Sequence, residues 1–153
     1  MSQERQKMDI QIRYHRKIHG LDNRKIKQKL KTVLSALGCH DVELSVFFTD
    51  DEEISRLNKR YRRKNGPTNV LAFPISGGPP PDPETGMLGD VVISVETATS
   101  ESKSIGEPLD ETIFRLLIHG ILHLLNYDHE RSADDADMME AEQRRLLSLI
   151  REA

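Results

Sequence analysis

Three of the six histidines, His119, His123 and His129, lie in the eleven-residue run HGILHLLNYDH, a spacing that can bring three imidazoles to one divalent metal ion. Positions 119 and 123 are four apart, so on a helix they share one face about a turn apart, as in the helical zinc sites built on HExxH. Position 129 would point elsewhere if the helix continued. Asn126 supplies a way out, because asparagine tolerates the left-handed backbone that ends helices, and the chain can then turn His129 back to the same ion. Three neutral nitrogens at about 2.0–2.1 Å leave a fourth tetrahedral position open, which is the arrangement of catalytic rather than structural zinc. An ion so held can lower the pKa of its water to about 7. Imidazole also suits nickel, copper and iron, and zinc is the expected choice. Where HExxH peptidases carry their general-base glutamate this chain has Gly120, which weakens a peptidase reading. Asp128 and Glu130 flank the third histidine and could orient imidazoles or relay a proton. His15, His19 and His40 have no such spacing and are read as surface residues.

A second concentration of chemistry is the stretch from Arg56 to Asn69, RLNKRYRRKNGPTN, with six basic residues and no acid before a Gly-Pro turn. Charge runs on helices are ordinarily solvated faces. This one leads straight into an apolar strand, so a basic side chain at its end could reach a site at the sheet edge. Arg62 is the candidate to grip a phosphate, since a guanidinium binds phosphate oxygens two at a time.

The elements that must position these residues can be placed from periodicity. Met8, Ile10, Ile12 and Tyr14 alternate as a first strand. Asp22 and Asn23 can cap a helix with an apolar stripe of Ile26, Leu30, Val33, Leu34 and Leu37, stopped by Gly38. Val42, Leu44, Val46 and Phe48 alternate again. Thr49 and Glu52 have capping-box spacing and open a helix through Ile54, Leu57 and Tyr61, ended by Asn65, Gly66 and Pro67. Asn69 to Phe73 is apolar on both faces and predicts a central strand. Pro74 to Gly89 reads as an exposed loop, with residues 76–88 a mobile proline-rich segment. Asp90 to Ser94 is a fourth strand, followed by a short polar helix from about Glu96 to Ser104. A strongly apolar helix from about Leu109 to Leu125 carries the first two histidines, and a last helix runs from about Ala133 to Arg151. The expected fold is α+β, a small mixed sheet of about four strands packed with about five helices, the histidine-bearing helix in the core. Residues 1–153 are expected to form one domain.

Composition bounds the function class. A 153-residue chain with 37% apolar and 31% charged residues is that of a soluble globular protein. The polar start MSQERQKMDI lacks the apolar stretch of a secretory signal, no run is long enough to suggest a membrane span, and Cys39 is the only cysteine. Together these favour the cytoplasm and exclude an intrachain disulfide framework. Net charge is −3, yet residues 1–64 carry 16 Lys/Arg against 9 Asp/Glu while the remainder carries 6 against 16. The first half can therefore present a phosphate-attracting face on an acidic protein.

At this point the chain resembles the YbeY family of bacterial endoribonucleases. HGILHLLNYDH is similar to the family's HGxLHLxGYDH, LNKRYRRKNGPTNVLAFP to LNxxYRxxxxPTxVLSFP, and LGDVVIS to the GDIxIS strand, in the family's order across roughly residues 44–145. The resemblance implies a metal-dependent endoribonuclease with a single-strand preference. It would act in ribosomal RNA maturation, at the 3′ end of small-subunit RNA, and in ribosome quality control. RNA and the ribosome or its small subunit would be the partners, with no membrane and no small-molecule cofactor. On the matching positions the metal ligands would be His119, His123 and His129, and the catalytically important arginine Arg62. Asn126 stands where the family has glycine, Ala72 replaces the serine of VLSFP, and the proline-rich loop is not a family feature. Two other readings compete: an assembly factor bound to the ribosome, its zinc mainly structural, and a zinc-dependent hydrolase of peptidase type.

Overall fold

The computed structural model describes residues 8–15, 21–75, 80–82, 85–127 and 130–151. The order of elements is β1 (Asp9–Tyr14), α1 (Asn23–Ala36), β2 (Glu43–Thr49), α2 (Asp51–Arg62), β3 (Val70–Pro74), β4 (Met87–Ser94), α3 (Val95–Ile105), α4 (Leu109–Leu124) and α5 (Ala133–Arg151). The four strands form one sheet in the order β1-β2-β4-β3. β1 and β2 run parallel, as do β2 and β4, while β3 returns antiparallel beside β4. This is the expected α+β architecture, with a mixed four-stranded sheet and five helices among the described residues.

Sheet alternation sorts the core into two faces. Leu44, Val46, Phe48, Val91 and Ile93 join the main core with α1, α4 and α5, whereas Phe47, Leu71, Phe73 and Val92 face α2 through Ile54 and Leu57. α4 is buried almost all round, with Ile113, Leu117, Ile118, Ile121 and Leu122 at or near zero exposure. Each such side chain contributes about 1.5–3 kcal/mol relative to leaving it in water. The helix that carries two of the histidines is therefore a rigid post in the core.

Capping chemistry fixes where the helices begin. Asp22 accepts a hydrogen bond from the Lys25 amide at 3.1 Å and starts α1. For α2 the cap is Asp50, which accepts from the Glu53 amide at 2.9 Å, and not the expected Thr49. Thr49 is still inside β2, paired with Ser94 and fully buried, so the sheet claims it first. Asp51, Glu52 and Glu53 occupy the first turn of α2 and Lys59, Arg60 and Arg62 the last, each sign at the end of the helix dipole that favours it.

Two further expectations need correction. The Asn69–Phe73 segment is not central: β3 is an edge strand. Its apolar residues on both faces are explained by helices, since α4 packs on one side and α2 on the other. The fourth strand also begins earlier than expected, at Met87, because Leu88 is fully buried and Gly89 continues the ladder opposite Pro74. Gly89 has φ +142°, and a Cβ there would lie 2.4 Å from the Phe73 carbonyl oxygen, so only glycine lets β3 and β4 approach at this point. Of the proline-rich segment, residues 76–79 and 83–84 lie outside the described residues.

Candidate active site

β3, α4 and the C-terminal end of α2 enclose a cavity of about 490 Å³. α2 and the turn after it contribute Arg62 and Lys64, the lead-in to β3 contributes Thr68 and Asn69, and β3 contributes Val70, Ala72 and Pro74. His119, Gly120 and His123 face it from α4, and Glu130 from the turn beyond. Three of the four residues singled out as metal ligands or phosphate grip thus open onto one space. The fourth, His129, and its neighbour Asp128 lie outside the described residues.

Each placement has a local cause. α2 ends because Arg63 takes a left-handed conformation, φ 58°, which turns Lys64 out of the helix. Asn58, buried on α2, donates its amide to the Gly66 carbonyl at 3.0 Å and fastens the Asn-Gly-Pro turn to the helix. α4 ends at Leu124 with Leu125 as its C-cap, and Asn126 follows with φ 77°, the left-handed residue that the sequence called for. The Tyr127 amide closes on the Leu122 carbonyl at 2.9 Å, so the chain leaves the helix axis just before the third histidine.

The His119 and His123 rings meet edge to face, with centroids 4.7 Å apart and planes at 73°. His119 Nδ1 lies 3.2 Å from Gln143 Oε1 on α5. An amide oxygen can only accept, so in this contact Nδ1 donates; in the neutral ring that leaves the lone pair on Nε2. Two imidazoles on adjacent turns of a rigid helix, one of them hydrogen-bonded from behind, fit two corners of a tetrahedral divalent-metal site. Among the described residues no three His, Cys, Asp or Glu side chains group to hold an ion, and the third candidate ligand, His129, is not one of them.

Gly120 has its own explanation. A Cβ at this position would sit 2.8 Å from Cγ1 of Val91 and 3.4 Å from Cγ2 of Val70. α4 lies directly on the sheet here, so the position where a peptidase would carry its base is pressed against β4.

Behind the cavity a chain of polar contacts ties β3 to the helices. Asn69 donates to Glu101 Oε1 at 3.0 Å, and Arg115, one turn before His119, bridges Glu101 at 2.8 Å and Glu107 at 3.1 Å. Burial pushes the Glu101 carboxyl upward, but hydrogen bonds from Asn69 and Arg115 outweigh it and hold the group below the ordinary carboxylate value. Glu107 is lowered in the same way: burial opposes, while Thr112 and Arg115 prevail. Both anchors are therefore anionic at neutral pH.

The sequence matches the family described as Endoribonuclease YbeY over residues 9–151. It is 44% identical over 137 residues to the Endoribonuclease YbeY of Aquifex aeolicus, covering 88% of this chain and 86% of that protein. Against the Persephonella marina protein of the same name it is 45% identical over 126 residues, 82% of each chain. The chain belongs to the YbeY family. A Thermotoga maritima protein solved in solution superimposes with a TM-score of 0.65 over 92% of this chain and 88% of that one, at 24% identity, which establishes shared fold. The YbeY match spans every element of the sheet and all the cavity residues named above.

Sequence reasoning missed two contributors and misplaced one residue. Gln143 lies 24 residues from His119, and no spacing rule links them. The Asn69–Glu101–Arg115 chain joins the lead-in to β3 with α3 and α4 and left no pattern to read. Tyr61, placed on the apolar stripe of α2, is 57% exposed. Its neighbours Arg60 and Arg62 were the available signal.

Proposed function

We propose that this chain is a metal-dependent endoribonuclease that cuts single-stranded segments of ribosomal RNA in the cytoplasm, in maturation of the small-subunit 3′ end and in ribosome quality control. His119, His123 and His129 hold one divalent ion, zinc, and Arg62 grips the phosphate at the scissile bond. The observation that carries this reading is the opening of His119, His123 and Arg62 onto one cavity in a YbeY chain.

When bound, the ion supplies Lewis-acid polarisation of a phosphate oxygen and activation of water at neutral pH. The protein's own groups do the rest. Arg62 pairs its two-pronged guanidinium with the non-bridging phosphate oxygens, where negative charge grows as the bond to phosphorus forms. Lys64 adds a second positive charge on the same wall. Gln143 holds His119 in the tautomer whose Nε2 can donate to an ion. Val70, Ala72 and Pro74 give an apolar wall that limits water beside the reacting phosphate. A single strand can bend its backbone into such a cavity, while a stiff A-form duplex resists it.

The competing readings fare worse on particular residues. A peptidase-type base has no room at Gly120, and a purely structural zinc would not be expected to face a cavity lined by Arg62 and Lys64. Cleavage of an end-labelled single-stranded RNA by the purified protein tests the proposal. Cleavage should stop with a strong chelator, return on adding zinc, and be far slower on the same sequence annealed into a duplex. Chelator-resistant cleavage, or equal rates on both forms, would overturn it. Products ending in 2′,3′-cyclic phosphate would identify the ribose 2′-hydroxyl as the nucleophile.

A further inference from the structure

Tyr61 is an anomaly of the basic helix. Of the three tyrosines and four phenylalanines, all among the described residues, it alone is exposed, at 57%. It stands between Arg60 and Arg62, at the C-terminal end of α2. Its ring is nevertheless held in place. It meets Phe73 of the edge strand β3 with centroids 5.3 Å apart and planes at 68°, and the Arg60 guanidinium lies 5.4 Å from its centre. Phe73 sits between Ala72 and Pro74, both of which line the cavity on the opposite face of the strand. The sheet edge therefore separates two features: the histidine pair on one side, and on the other a held, exposed aromatic ring with the Arg60 guanidinium over it. Arg62 belongs to both, adjacent to Tyr61 in the chain and lining the cavity.

From this we infer that Tyr61 is a stacking platform for an unpaired RNA base beside the nucleotide whose phosphate enters the cavity. The inference rests on the endoribonuclease reading and extends it to a specificity-determining residue. Positive charge on both neighbours favours a polyanion over an apolar partner, and a planar base on an exposed ring is the usual way single strands are held without sequence preference. It also supplies a reason for strand preference, because bases within a duplex are already stacked on each other and cannot reach a protein ring.

The test uses the full chain and two labelled single-stranded RNAs, one intact and one lacking the base next to the cut. Tyr61→Ala should raise KM on the intact strand by about tenfold, as expected for losing one base–aromatic stack, with far less change in kcat. Tyr61→Phe, which keeps the ring, should restore most of that loss. Tyr61→Leu still covers Phe73 but offers no aromatic face, and should behave like Tyr61→Ala. The wild-type protein should lose a similar factor on the abasic strand, and Tyr61→Ala should lose little more there. An unchanged KM in Tyr61→Leu, or an abasic penalty that persists in full in that variant, would overturn the stacking role while leaving the nuclease reading intact. If the wild-type protein cleaves neither strand, the endoribonuclease reading itself fails, and the inference with it.

Discussion

Replacing His123 with alanine is expected to abolish stable metal binding and, with it, RNA cleavage. His123 is one of two imidazoles on adjacent turns of α4, with ring centroids 4.7 Å apart, and loss of either leaves an ion with too few protein nitrogens. The loss of affinity should exceed the roughly 10–100-fold that follows from removing a group that only orients a ligand. The fold should survive. α4 is anchored by buried residues on its other faces, and alanine is a better helix former than histidine. Elemental analysis of the purified variant, with circular dichroism for the fold, makes the comparison. Full zinc occupancy in His123→Ala would remove His123 from the ligand set.

Arg62→Ala should separate metal binding from catalysis. Arg62 is an exposed residue at the end of α2, so its removal should change stability by no more than about 0.5 kcal/mol, as is typical of surface positions. Zinc content should be unchanged. Single-turnover cleavage should fall by about 10²–10³-fold, the usual cost of removing one fixed donor to transition-state charge. Arg62→Lys should recover only part of the rate, because a point charge lacks the paired geometry of the guanidinium. Cleavage by Arg62→Ala at the wild-type rate would take Arg62 out of the mechanism.

These two variants concern the part of the site that was most legible before any coordinates. A four-residue spacing on a helix places two imidazoles together whatever the rest of the fold does, and the rings of His119 and His123 do meet. The turn at Asn126 could be read for the same kind of reason: a short polar side chain tolerates positive φ, and Asn126 adopts it. Arg62 was a weaker inference, since nothing in a basic run says which member faces a cavity. The left-handed Arg63 and the Asn58 tether to Gly66 decide that, and neither is a repeating pattern.

What could not be read depends on contacts between distant segments. β3 looked central because it is apolar on both sides, but two helices can cover an edge strand as completely as two neighbouring strands flank a central one. Thr49 looked like a cap because spacing alone ignores the sheet, which holds Thr49 opposite Ser94 and leaves the role to Asp50. Gly120 was read as the loss of a catalytic glutamate. Its 2.8 Å approach to Val91 gives it a packing role that no helical wheel reveals. Gln143 reaches His119 only because α5 folds back along α4.

The most direct measurement is anomalous diffraction at the zinc edge from crystals of the zinc-loaded protein. A single strong peak is expected, bonded at about 2.0–2.1 Å to one ring nitrogen each of His119, His123 and His129, with Arg62 across the cavity from it. A peak at some other cluster of side chains, or an ion at the His119–His123 pair with the ring of His129 directed away from it, would contradict the assignment on which the proposed chemistry stands.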